Sequence, residues 1–245
     1  MFATLILNAI LDHLFCLICT SQTHHMISTQ TFAFLKSVSE NNNREWFQEH
    51  KSEYEEAREN VLVFTEKVIK GLSAFDPSIP ADLSPKDCVM RIYRDIRFSK
   101  DKAPFKTNFG IAISSNGKNF KDPGYYIHLQ PGKSFVAGGS WYPEKDELKA
   151  IRQEIDYNLG DWTSIVEHPA FTDVFGELDT EGKLRTAPKG YPADHPGIEY
   201  LKLKSFTAVC KVSDKDLINR DSVKIVTGLF EKIYPMMVFL RNAIA

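Results

Sequence analysis

The chain has 245 residues, of which 25% are charged and 43% hydrophobic, with 30 Lys and Arg against 32 Asp and Glu. That balance fits an ordinary soluble globular protein with a net charge of −2, and it excludes a strongly basic nucleic-acid coat and an acidic disordered tail. Four cysteines are too few for a disulfide scaffold of this length.

Residues 1–20 form an apolar run, yet no Lys or Arg precedes Lys36, so the positive start of a signal peptide is missing. Asn8, Asp12 and His13 interrupt the run, and a charge near mid-span is costly in a membrane. Residues 1–25 therefore read as translation upstream of a true start at Met26, as a signal or anchor, or as a poorly ordered tail. A real anchor would make the protein secreted or membrane-bound; otherwise it is expected in the cytoplasm, without a membrane partner. Cys16 and Cys19 make a C-x-x-C pair, but no strand–helix pattern surrounds them. They read as two small members of the apolar run.

Residues 26–245 read as one domain. Asn43 is a good N-cap, and Phe47, His50, Tyr54, Ala57, Val61, Phe64, Val68 and Leu72 follow at steps of three or four. The spacing predicts one helix from Asn43 to Leu72, with its glutamates on a solvated face. Cys88–Tyr93, Phe105–Ser115, Gly124–Gln130 and Lys133–Gly138 read as strands rich in β-branched and aromatic residues, with Cys88 and Cys210 as core thiols. Tyr125, Ile127 and Leu129 alternate with Tyr126, His128 and Gln130, and Pro131-Gly132 suits a type II turn in a longer hairpin loop. Pro143 opens a helix that buries Leu148, Ile151, Ile155 and Leu159, and Gly160-Asp161 ends it and caps a short helix over Trp162–Glu167. Residues 176–198 form a long Gly- and Pro-rich loop, of a length that in a compact domain is usually functional or mobile. Tyr200–Lys211 reads as a strand, and Ser213 with Asp216 starts a helix to about Ile233, which Pro235 breaks or restarts. Segregated helices and hairpin-linked strands predict an α+β fold, a mainly antiparallel sheet of about five strands with helices packed on it.

One segment stands out chemically. From Lys86 to Lys106 there are seven bases and three acids, a local +4 in a nearly neutral chain. Arginine presents a rigid fork of donors that fits carboxylate or phosphate. Arg91, Arg94, Arg97, Lys102 and Lys106 are candidate ligands for an anion, with Lys189 arriving from the long loop. Asp95 and Asp101 are candidates to hold the arginines, to act as general base, or to bind a divalent metal through waters. His195, beside Asp194, is the candidate catalytic histidine, while His128 on its strand is a further acid or base that could face the cluster. The competing reading is an Arg–Asp network that only braces the loop. No zinc spacing, P-loop, G-x-G-x-x-G or G-x-S-x-G occurs, and neither a cofactor nor an oligomeric state is indicated. Gly138-Gly139-Ser140-Trp141 at a strand end is a bulge or turn, or a place where backbone approaches a ligand.

The same stretch resembles the signature of an uncharacterised family of mostly bacterial proteins with fungal relatives, known as a domain of unknown function. Its pattern R-x-x-R-D-x-R-F followed by D-K is matched by Arg91, Arg94, Asp95, Arg97, Phe98, Asp101 and Lys102. Phe105 stands where the family usually has Tyr, so a phenol at that position has no role here. The resemblance extends to Phe34, Leu35, Asn42, Asn43, Trp46 and Phe47, to Gly138, Gly139, Trp141, Pro143 and Arg152, and to Pro188–Tyr191 with Asp194-His195-Pro196. It covers about residues 30–240, which favours a start at Met26, and it implies no activity. Three functions are therefore expected to compete: binding or processing of an anionic, possibly phosphorylated ligand; a non-catalytic protein-interaction module; and a nucleic-acid factor, which the net charge disfavours.

Overall fold

A computed structural model describes residues 26–120 and 122–245. The expectations for residues 1–25, including the Cys16–Cys19 pair, lie outside the described residues.

The chain first forms α1 (Thr29–Glu40), capped by Ser28, whose hydroxyl accepts from the Thr31 N–H at 3.0 Å. The helix expected from Asn43 is present in two pieces, α2 (Arg44–Glu49) and α3 (Lys51–Ser73). Asn43 caps α2 as expected, accepting from the Trp46 N–H at 2.9 Å. The break falls at His50, whose ring stacks on Trp46 at 4.0 Å and bonds the Trp46 carbonyl through Nδ1 at 2.8 Å. Beyond it, α3 buries Ala57, Val61, Phe64, Val68 and Leu72, the apolar stripe read from the sequence.

Cys88–Tyr93 is not a strand. Pro85 starts a single turn, α4 (Pro85–Cys88), and only isolated bridges follow, Val89 with Ile111 and Tyr93 with Phe105. The described sheet is four-stranded and antiparallel, in the order β1 (Phe109–Ile113), β2 (Gly124–Leu129), β3 (Phe135–Ser140), β4 (Phe206–Lys211). This is one strand fewer than expected. The β2–β3 loop contains the type II turn: Gly132 has φ 69° and Lys133 N–H reaches the Gln130 carbonyl at 2.9 Å.

Between β3 and β4 lie α5 (Lys145–Tyr157), α6 (Leu159–Val166), α7 (Pro169–Phe175), the loop 176–197 and α8 (Ile198–Leu201). The start of α5 is a capping box of Glu144 and Glu147 rather than Pro143, and Gly160 lies inside α6 rather than ending a helix. Tyr200 and Leu201 belong to α8, so β4 begins six residues later than the apolar run suggested.

After α9 (Asp214–Leu217), α10 (Ser222–Ile244) runs through Pro235 without interruption. Ile233, Met236, Met237 and Leu240 are buried on both sides of the proline, so packing holds the helix where local geometry would break it. Pro235 and Glu231, whose carbonyl loses its partner, are exposed to water. Gly138 lets this helix close on β3, since a Cβ there would sit 2.9 Å from Ile233 Cγ2. The core lies between α3, α10 and one sheet face, carrying Phe109, Ile111, Tyr125, Ile127, Val136 and Phe206. Among the described residues no helix packs over Tyr126, Phe135, Ala137 and Val209 on the opposite face, and they line an open groove.

Candidate functional site

The basic segment is a loop folded back on itself. Arg94 N–H donates to the Pro104 carbonyl at 2.9 Å and Lys106 N–H to that of Ile92 at 2.7 Å. Asn42 supplies what a missing neighbouring strand would: it donates to the Phe105 carbonyl and accepts from the Phe105 N–H, both at 3.0 Å. Phe105 then stacks on Phe47 at 3.9 Å, which fixes the loop base to α2.

Both acids of the loop are matched by its own arginines. Arg97 grips Asp95 with a fork, Nε to Oδ1 at 3.0 Å and Nη2 to Oδ2 at 2.6 Å. Arg94 pairs with Asp101, which also accepts from the Ala103 N–H at 2.9 Å. Lys102 donates to the Ile96 carbonyl at 3.0 Å. The Arg97 side chain holds the Asp95 carboxyl below the usual carboxylate range, and the Ala103 N–H and Arg94 do the same for Asp101. A depressed carboxylate is a weak general base.

Two cations differ. Arg91 is exposed, and Lys106 is partly buried beside it. Burial, and then the Arg91 charge, push the Lys106 ammonium below the ordinary lysine value. Neither Arg91 nor Lys106 has a carboxylate within salt-bridge reach among the described residues.

His195 bonds to another part of the molecule, α5 and its own loop. His195 Nε2 meets Asp156 of α5 at 2.9 Å, and its Nδ1 accepts from the Gly197 N–H at 2.9 Å. Both ring nitrogens are thus engaged, and none of these bonds involves loop 91–106. Lys189 is exposed. His128 bonds within the open sheet face: Nε2 donates to Gln130 Oε1 at 3.0 Å, and Nδ1 accepts from the Tyr126 hydroxyl at 3.2 Å. Gln130 Nε2 continues the chain to Thr107 Oγ1 at 3.3 Å.

A groove of about 1040 Å³ lies over that open face. Tyr126, Phe135, Ala137 and Val209 form its floor, and Phe120, Trp141 and Tyr142 its aromatic walls. Trp141 is 73% exposed. Tyr142 is the one non-glycine residue with positive φ (46°) among the described residues, and its N–H is tied to Ser205 Oγ at 3.0 Å. Such a conformation is strained and persists only where the surroundings enforce it. Gly139 (φ 131°) sits against β4, with space for no Cβ, so the Gly138-Gly139 pair serves close strand and helix packing. None of Arg91, Arg94, Asp95, Arg97, Asp101, Lys102, Lys106, Lys189 or His195 lines the groove.

The sequence points to one edge of the groove, where Gly138-Gly139-Ser140-Trp141 offers backbone to a ligand, but not to the groove as a whole. The signal available was the aromatic and polar outer register of β2, Tyr126-x-His128-x-Gln130, opposite the buried Tyr125-x-Ile127-x-Leu129. Among the described residues no group of three or more His, Cys, Asp and Glu could hold a metal ion, and no helix is long and apolar enough to cross a membrane.

A family model described as a conserved hypothetical protein (DUF2461) matches residues 30–239. No curated protein and no solved structure matches the chain.

Proposed function

We propose that this chain, which belongs to that conserved hypothetical protein family, binds an anionic, phosphorylated ligand between Arg91 and Lys106. The observation that carries the reading is the unmatched pair of positive side chains, one of them partly desolvated, in a loop whose other arginines have acid partners. Two neighbouring cations repel each other, and a bound phosphate turns that repulsion into two charge-assisted contacts. Arg94, Arg97, Asp95, Asp101 and Lys102 then act by bracing the loop. In this reading His195 latches the long loop to α5 through its bond to Asp156, and Lys189 takes no part in holding the anion.

Calorimetric titration with inorganic pyrophosphate tests this. Arg91→Gln and Lys106→Met should each weaken binding about 10- to 150-fold, because a hydrogen bond to a charged group is worth about 1.5–3 kcal/mol. Binding should also fall as salt rises. No binding by the wild-type protein, or binding by both variants as tight as that of the wild type, refutes the proposal. A loss on Arg97→Ala equal to that on Arg91→Gln overturns the assignment to the pair and returns the ligand to the whole cluster.

Phe98 supports a second reading. It is 94% exposed at the tip of the same loop, with the Arg97 guanidinium 5.8 Å from its ring. An aromatic side chain so placed suits a protein contact. Capture of a partner by the wild-type chain and not by Phe98→Ala, with no pyrophosphate binding, would favour this interaction module.

A further inference from the structure

We infer that the groove over the open face of the sheet is a second ligand site, separate from the anion site, and that it takes a small organic ammonium ion with apolar substituents. Its walls and floor are aromatic: the Trp141 and Tyr142 rings meet nearly at right angles (82°) with centroids 5.4 Å apart, and Tyr126 and Phe135 lie 5.8 Å apart beneath the opening. A corner of two rings set edge to face presents π surfaces on two sides of one space, the arrangement that attracts a methylated or alkylated cation. The volume of about 1040 Å³ accommodates an apolar body as well as the charged group.

The charge on the lining selects the sign of the ligand. Asp122, Glu144, Glu147 and Asp179 line the groove, against one base, Lys118. Lys118 is occupied with the carbonyls of Lys86 and Asp87, both at 3.3 Å. The four carboxylates bond locally to hydroxyl or backbone donors and none is in an ion pair among the described residues. An anion would therefore meet an acidic rim, whereas a cation gains both the rim charge and the ring faces. A hard inorganic cation would gain little from an aromatic floor. An alkylammonium satisfies both features at once.

The strained backbone of Tyr142 fits this assignment. Its N–H bond to Ser205 and its hydroxyl, 3.5 Å from the Glu181 carbonyl, hold the ring at the groove wall in a conformation the chain would otherwise avoid.

Benzyltrimethylammonium is the probe, titrated calorimetrically into the full chain, with choline and its uncharged isostere 3,3-dimethylbutan-1-ol as a matched pair. The probe should bind saturably, choline should bind more tightly than the alcohol, and benzenesulfonate should not bind. Trp141→Ala, at an exposed side chain, should leave the melting temperature unchanged and weaken the probe about 2- to 30-fold. Asp122→Asn combined with Asp179→Asn keeps the local hydrogen bonds and should weaken the charged ligands while leaving the alcohol unaffected. Equal binding of choline and the alcohol, saturable binding of benzenesulfonate, or no heat with the probe at millimolar concentration overturns the inference. A trimethyllysine peptide that binds more tightly than the probe overturns the small-molecule assignment. Loss of pyrophosphate binding in Arg91→Gln bears on the other site alone.

Discussion

Replacing Asp76 by alanine should be among the most damaging single changes in the molecule. Asp76 is 1% exposed, at the end of α3, and its carboxylate gathers four donors. Tyr125 of β2 donates at 2.7 Å, Ser78 through its hydroxyl at 2.7 Å and its N–H at 3.0 Å, and Arg241 of α10 through Nη1 at 2.9 Å. Arg241 also donates to the Pro123 carbonyl at 3.2 Å, so one ion pair ties α3, β2 and α10 together. Removing one member of a buried pair leaves the other charge uncompensated, at a cost of about 3–5 kcal/mol. Set against a total stability of about 5–15 kcal/mol, that is a large fraction. Tyr125→Phe should cost less, about 1–1.5 kcal/mol, because Asp76 keeps its remaining donors. Asp76→Ala combined with Arg241→Met should cost less than Asp76→Ala alone, since no charge is then stranded. Equilibrium unfolding in urea, followed by circular dichroism, reads all three. A loss below about 1 kcal/mol for Asp76→Ala, or simple additivity in the double variant, refutes the view that this pair fixes the helices to the sheet.

Three further outcomes follow from the same structure. Burial works to raise the Asp76 pKa, but the hydrogen bonds from Ser78, Tyr125 and Arg241 outweigh it and hold the carboxyl below its ordinary value. Its contribution is therefore complete above about pH 4 and is lost as pH falls through the folded-state pKa, so the stability gap between wild type and Asp76→Asn should narrow in acid. A gap that widens below pH 4 contradicts the assignment. Gly139→Ala should cost about 3 kcal/mol or more, because the new Cβ would lie 1.9 Å from the Phe206 carbonyl oxygen, a contact between strand backbones. Gly132→Ala, also at positive φ but with open space around it, should cost only about 1–2 kcal/mol; equal losses at the two sites would show that strain alone, not crowding, sets the effect.

The legible parts of the fold were those in which local chemistry and tertiary packing agree. Asn43 caps a helix because its side chain suits the free Trp46 N–H, and Pro131-Gly132 turns because the proline ring presets its φ and glycine accepts the positive φ that follows. The α3 stripe was visible because its period matches the face it buries. Where long-range contacts override local preference, the sequence misled. Ile92 and Tyr93 look like a strand, but Asn42, 63 residues before Phe105 in the sequence, supplies the partner for Phe105, and only single bridges form. Tyr200 looks like a strand start, yet it lies in a helical turn with its hydroxyl 2.6 Å from Glu167. Pro235 looks like a break, yet buried residues on both sides hold the helix. The charge cluster was visible as composition, but its internal matching was not, because which arginine meets which aspartate depends on how the loop folds back. The groove was hidden because its lining comes from six separate segments, around residues 90, 118–126, 135–147, 179, 207–209 and 244.

The central claim is that Arg91 and Lys106 await an anion. Its most direct test is the titration of the Lys106 side chain by NMR, with the resonance assigned through Lys106→Arg. The account predicts a Lys106 pKa below the ordinary lysine value of about 10.4 in the free protein, moving upward when pyrophosphate is added. A Lys106 that titrates at or above the ordinary value, and does not respond to pyrophosphate, contradicts it.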